Sequence, residues 1–207
     1  MDFHRQLDVL DVSRLGQIPI TVIGAGAVGS FATLALAKSG AERIRVFDDD
    51  VVEAHNLPNQ WYRLADIGRR KVDALAELVE QMTGVAIDAR PARFDGNGAT
   101  EVTLCCVDSM DVRIALWQAL TPRPALYIDA RMGAEVGMVY CVGQFGSWYD
   151  ETLYPSIEAY RAPCTAKATV YCAAGLAAFI AGQVANYASD RPTKPQLTLD
   201  FRNAVVL

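Results

Sequence analysis

Gly24, Gly26 and Gly29 are spaced G-x-G-x-x-G within "ITVIGAGAVG", between an apolar run and a helical pattern. That spacing suits the holding of a phosphate. The first glycine permits a tight turn, the second lets a phosphate reach the backbone, and the third lets helix and strand pack closely. The helix N-terminus then faces the anion. Asp48 closes the next apolar run, where a carboxylate accepts hydrogen bonds from a ribose diol. As one of three adjacent acids, Asp48 to Asp50, it also reads as a solvated loop residue. Loop and acid together predict a nucleotide and leave the reaction open. Among the five cysteines, Cys105, Cys106, Cys141, Cys164 and Cys172, none form a C-x-x-C pair, so neither a zinc ribbon nor a redox dithiol is supported. Cys105 and Cys106 fall in an apolar strand and Cys172 on an apolar helix, where a thiol is inert. Cys164 follows Pro163 at a helix start, where the dipole lowers a thiol pKa and favours a nucleophile; simple packing of the loop is the other reading. His4 and His55 are too few and too badly placed for histidine catalysis.

The elements that must position these groups alternate between short β-branched runs and longer helical ones. This pattern predicts an α/β fold, a Rossmann-like doubly wound and mostly parallel sheet with additional C-terminal strands. Strands are expected at 18–24, 43–48, 101–108, 125–130 and 137–145, with another, broken by Pro91, after residue 84. Helices are expected at 27–40, with Gly40 as the stop, at 69–84 and at 111–120. In 69–84 the apolar face is Val72, Leu75, Leu78, Val79 and Met82. One domain fits the whole of 1–207: an N-terminal segment (1–17), a nucleotide-binding core (18–145), and a crossover loop, helix and closing strands (146–207). Residues 168–188 carry no charge and are long enough for a bilayer, but they are rich in Ala and Gly and lack aromatic and basic anchors on both sides. They read as a buried core helix at a subunit interface, with no membrane partner.

With 207 residues, 52% hydrophobic and 21% charged, the chain has enough apolar material for a core. A net charge of −5 without a Lys/Arg block argues against nucleic acid and anionic membranes. The start, "MDFHRQLDVLDVSRL", has no apolar h-region, and the cysteine count is odd, so reduced thiols in a cytoplasm are expected.

A second block, "DDDVVEAHNLPNQWYRLADIGRRKVDAL", resembles the ThiF/MoeB/HesA family, bacterial relatives of ubiquitin-activating enzymes. The family pattern is D-x-D-x-V-x-x-x-N-L-x-R-Q, a short loop, then G-x-x-K opening a helix. Asp48, Asp50, Val52, Asn56, Leu57, Gln60, Gly68 and Lys71 fall on it. "CCVDSMDVRIALWQAL" is similar to the next block, where Asp108 matches the aspartate that ends the fourth strand. Arg5 and Gln6 match an N-terminal Arg-Gln segment, and Cys164 matches a reactive cysteine that some members carry before a helix. The resemblance implies an ATP-dependent adenylyltransferase that activates the C-terminal carboxylate of a ubiquitin-like or sulfur-carrier protein ending in Gly-Gly. It implies ATP and Mg²⁺, with Lys71 neutralising phosphate charge and Asp108 holding the cation. Asn56 and Gln60 then bond ribose or phosphates, and Arg5 reaches the phosphates of a homodimer partner.

Two departures stand out. The family arginine two residues after the Leu of the motif is Asn59 here, with Arg63, Arg69 and Arg70 as nearby substitutes. The family's paired zinc cysteines are missing. Arg131, in "DARMG", either guides a substrate carboxylate or pairs with Asp129. Three other readings stay open: an NAD(P)-binding oxidoreductase, a degenerate subunit that partners an active homologue, and adenylation of a small-molecule carboxylate.

Overall fold

Apolar β-branched runs alternate with helical stretches to give, in chain order, α1 (Val12–Gln17), β1 (Ile20–Ile23), α2 (Ala27–Ser39), β2 (Ile44–Phe47), α3 (Lys71–Thr83), β3 (Asp88–Arg90), β4 (Val102–Cys105), α4 (Met110–Ala119), β5 (Leu126–Gly133), β6 (Val136–Gly143), α5 (Val170–Ala188), β7 (Gln196–Asp200) and β8 (Val205–Val206). This computed structural model describes residues 1–158 and 168–207. The strands form one sheet in the order β3-β2-β1-β4-β5-β6-β7-β8. The first five in that order are parallel, and β6, β7 and β8 join antiparallel. The expected mostly parallel sheet with added C-terminal strands is therefore the observed one.

Side-chain alternation along the strands sorts the sheet into two faces. Ile20, Val22, Val102, Leu104, Ile128, Val139 and Cys141 point to one core, which α2, α3 and α5 cover. Ile23, Cys105, Tyr127, Tyr140 and Val142 point to the other, where Leu116 and Trp117 of α4 pack with Tyr149. The strand order reverses between β1 and β4. In an open parallel sheet such a reversal leaves a crevice outside the carboxyl ends of the two strands.

The helices follow their sequence signals, with small differences. α2 stops at Gly40, whose φ of +113° is the left-handed region a glycine reaches without strain. α3 buries Val72, Leu75, Leu78 and Val79 as expected, but Met82 is exposed. Thr83 takes the buried place in that last turn instead, and its hydroxyl donates to the Val79 carbonyl at 2.6 Å. The loop after β6 is not wholly irregular: 3-10 turns occupy Ser147–Thr152 and Ser156–Glu158, and they bury Tyr149. α5 is long and apolar enough to cross a membrane by length and composition alone. Cys172, Leu176, Ile180 and Val184 give it a face packed in the main core.

Candidate functional site

The glycine loop joins β1 to α2 at the mouth of the crevice. Gly24 has φ +95°, and a Cβ there would stand 2.8 Å from the Cys106 carbonyl oxygen. The loop after β1 thus lies directly against the loop after β4. A Cβ on Gly29 would sit 1.8 Å from the Gly24 carbonyl oxygen, so no side chain fits there. A Cβ on Gly26 would meet nothing within 4 Å. The first and third glycines are fixed by close packing, while the second faces open space. α2 begins at Gly26 without a side-chain cap, so its first-turn N–H groups are left to an outside acceptor. Such an end suits an anion.

Neighbouring residues hold the loop on both sides. Asp48, just past β2, accepts a hydrogen bond from the Ala25 N–H at 2.7 Å and from the Asp50 N–H at 2.8 Å. The Tyr62 hydroxyl donates to the Ala25 carbonyl at 2.7 Å. Burial, with Asp48 nearby, pushes the Tyr62 phenol well above its ordinary range, so it remains a donor. The Trp61 N–H donates to Ser30 Oγ at 3.0 Å, and the Trp61 ring meets Phe31 edge-on. Tyr62 and Trp61 escaped the sequence reading, although both lie in the quoted block. Aromatic character alone does not separate a core residue from a cover for the loop.

Lys71 opens α3 and is buried; its Nζ donates to Asp50 Oδ2 at 2.7 Å, and its N–H donates to the Asp50 carbonyl at 3.0 Å. Asp50 is largely exposed, so the ammonium reaches the surface through its partner. Asn56 is buried, and its Oδ1 caps its own turn by accepting from the Glu53 N–H at 2.9 Å. The buried Gln60 Oε1 and Asn59 Oδ1 have no hydrogen-bond partner among the described residues. Unpartnered buried amide oxygens are costly unless a ligand or water meets them. Exchanging the O and N ends of each amide would present donors instead.

Asp108 lies three residues past the end of β4, exposed, and its carboxylate accepts no hydrogen bond among the described residues. A hard divalent cation prefers such an oxygen. The glycine loop, Asp48, Asp50, Lys71 and Asp108 therefore meet around the carboxyl ends of β1, β2 and β4. Arg5 does not join them. The Gln6 side chain donates to the Ser39 carbonyl, which places this segment at the far end of α2. A helix of 13 residues puts that end about 20 Å from the glycine loop. Cys164 lies outside the described residues. Of the other thiols, burial pushes Cys106 and Cys141 up to about 12 and Cys172 to about 11, so none of these three is a thiolate near neutral pH.

Two of the substitutes for the missing arginine are already engaged. Arg63 pairs with Asp66 at 2.9 Å and Glu77 at 2.7 Å; Arg69 pairs with the same two at 2.8 Å each. Arg70 is exposed and forms no ion pair among the described residues. Arg131 takes the second of its two readings: it donates to Asp129 Oδ2 at 2.7 Å and to both the carbonyl and the hydroxyl oxygen of Thr152. It is therefore not free to guide a substrate carboxylate. Asp129 also pairs with Arg113, which the sequence reading passed over. The signal was there: Met110, Arg113, Leu116 and Trp117 share the inward stripe of α4, and an arginine in such a stripe needs an anion.

Known proteins are similar to this chain in sequence and in fold. Ubiquitin-like modifier-activating enzyme 5 of Culex quinquefasciatus is 27% identical over 135 residues, covering 56% of this chain and 34% of that protein. The adenylyltransferase and sulfurtransferase UBA4 of Yarrowia lipolytica is 30% identical over 126 residues, covering 54% of this chain and 31% of its own length. The chain thus spans about a third of the length of these relatives. The crystal structure of Escherichia coli MccB with ATP superposes with a TM-score of 0.75 at 14% identity, over 95% of this chain and 64% of that one, which is a likeness of fold. A profile of the ThiF family matches residues 3–202, and the protein belongs to that family.

Proposed function

We propose that the protein is an ATP-dependent adenylyltransferase that activates the C-terminal carboxylate of a ubiquitin-like or sulfur-carrier protein. The observation that carries this reading is the meeting of the glycine loop, Lys71 with Asp50, and Asp108 at the carboxyl ends of β1, β2 and β4. Relatives that activate ubiquitin-like modifiers, or that carry adenylyltransferase in their names, support it. In this reading the N–H groups at Gly26 and the start of α2 receive the phosphates. Asp48 keeps lone pairs for the ribose diol, and Lys71 neutralises charge on the departing pyrophosphate. A carboxylate oxygen of the carrier's terminal glycine attacks the α-phosphorus, the bond to the β-phosphate oxygen breaks, and acyl-adenylate and pyrophosphate result. No proton needs to be removed from that nucleophile, so the site requires positioning more than acid–base catalysis. Mg²⁺, held by Asp108, would supply charge neutralisation on the phosphate oxygens when bound.

Arg5 reaches a nucleotide in this scheme only from a second copy, so the reading includes a homodimer; a monomer at micromolar concentration by light scattering would count against that part. Free thiols at Cys105, Cys106, Cys141 and Cys172 support a reducing, cytoplasmic setting. Cys164 is the proposed thiol for any thioester with the carrier. Cys164→Ser should leave ATP–pyrophosphate exchange unchanged and remove the thiol-labile conjugate that forms when the thiolate attacks the acyl-adenylate carbonyl and AMP leaves.

The test of the reading is ATP–pyrophosphate exchange with a small protein ending in Gly-Gly. Exchange should appear with wild type and vanish in Asp108→Ala, whose circular dichroism stays native because Asp108 is exposed. Unchanged exchange in that variant would sink the assignment of Asp108. A second reading, a subunit that binds nucleotide without turnover, is favoured by Asn59 and by the engagement of Arg63 and Arg69 with Asp66 and Glu77. ATP binding without any exchange would select it.

A further inference from the structure

Asp108 carries the cation in the proposed reading, yet its own side chain is held by nothing described. Its backbone is another matter. Cys106, two residues before it, donates its N–H to the Ile23 carbonyl at 2.8 Å and so continues the sheet ladder. Ser109, the next residue, caps α4: its Oγ accepts from the Val112 N–H and its carbonyl accepts from the Arg113 N–H. Between these fixed points the Val107 carbonyl accepts a hydrogen bond from the guanidinium of Arg113. The same guanidinium pairs with Asp129 and contacts Cys105 Sγ at 3.6 Å. Asp129 faces Cys105 across the β4–β5 ladder, at the last paired position of β4. One side chain therefore ties the Asp108 loop to the end of β4 and to the middle of β5.

Helix packing does not call for this arginine. Arg113 is 3% exposed and Asp129 is fully buried, and the Arg113 Nε has no partner. A buried ion pair usually stabilises no better than apolar residues of the same volume, and an unpartnered buried donor costs more still. Leu116 and Trp117 beside it on α4 meet the core with apolar surface. What an apolar residue cannot do is donate to a loop carbonyl while being gripped by a strand carboxylate.

We infer that Arg113 is a positioning residue: clamped by Asp129, it holds the Val107 carbonyl and thereby aims Asp108 at the bound cation. The inference rests on the proposed nucleotide site. Arg113→Lys keeps the charge beside Asp129 but loses the fork that reaches both partners.

The test is calorimetric titration with ATP, in excess Mg²⁺ and in EDTA, together with a Mg²⁺ titration at fixed ATP. In Arg113→Lys the Mg²⁺ midpoint should rise about tenfold, the lower end of what losing support behind a metal ligand costs. Affinity for ATP in EDTA should be unchanged. In an Asp108→Asn background, Arg113→Lys should add nothing, because the residue acts through Asp108. An equal loss with and without Mg²⁺ would mean a merely structural role and would overturn the inference, as would an unmoved midpoint or additive effects in the double variant. If Arg113→Lys does not fold, Asp129→Asn should move the same midpoint the same way, and no movement there would overturn it equally. If Asp108→Asn alone leaves Mg²⁺-dependent binding intact, the underlying site assignment fails along with this inference. If Asp108→Asn weakens that binding while Arg113→Lys does not, only the inference fails.

Discussion

Two arginine–carboxylate clusters brace the two loops that flank the site, and they are built differently. The first fixes the approach to Lys71: Arg63 and Arg69 face Asp66 and Glu77, two cations to two anions, and only Asp66 is fully buried. The second lies behind Asp108: Arg113 and Arg131 share the single carboxylate of Asp129, which also accepts from the Tyr149 hydroxyl at 2.7 Å. Water can replace partners in the first cluster and has little access to the second. The same residue types therefore differ in consequence, with burial and charge balance setting the difference.

The comparison breaks first at Asp129. Asp129→Ala leaves two guanidiniums at a buried site without their anion, and should cost about 3–5 kcal/mol in urea denaturation. A loss below about 1 kcal/mol would put this cluster in the class of exposed pairs. Asp66→Ala should cost less, about 1.5–3 kcal/mol, because Arg63 and Arg69 keep Glu77 and gain water. The pH dependence sharpens the point. Burial alone would raise the Asp66 carboxyl, but Arg63 and then Arg69 override it and hold the group below its ordinary value. Arg63 and Arg69 lower Glu77 as well. A carboxylate depressed in the folded state stabilises above its unfolded value and loses that stability as pH falls through its folded value. Acid unfolding below about pH 4 should therefore be less steep in Asp66→Asn than in wild type. An identical acid limb in the two proteins would show that the pair is not formed in solution. Glu77→Gln should have the smallest effect, a slight drop in melting temperature that salt abolishes.

The two clusters also mark where the sequence could be read and where it could not. The glycine loop was legible because its spacing is local: Gly29 answers to the Gly24 carbonyl five residues back, while the contact of Gly24 with the distant Cys106 carbonyl adds to a turn that its positive φ already demands. Asp48 and Lys71 were legible because strand end and helix start fix their places. The engagement of Arg63 and Arg69, two of the three nearby substitutes for the missing arginine, was not legible because their partners include Glu77, a turn and a half into α3. Asp129 and Arg113 pair only because strand alternation turns Asp129 toward the face that α4 covers, and spacing along the chain does not display that face. Met82 failed for a smaller reason: helical periodicity continues past the last turn that has a core to meet.

The central claim is a site for ATP with a cation at Asp108, and thermal shift measures it most directly. At a hundredfold excess over its dissociation constant, a ligand adds about 2.7 kcal/mol, worth about 5–10 °C for a chain of this size. ATP with Mg²⁺ should produce such a shift in wild type and a much smaller one in Asp108→Asn, while NAD should produce none. A shift with NAD and not with ATP would contradict the account and return the glycine loop to a dinucleotide.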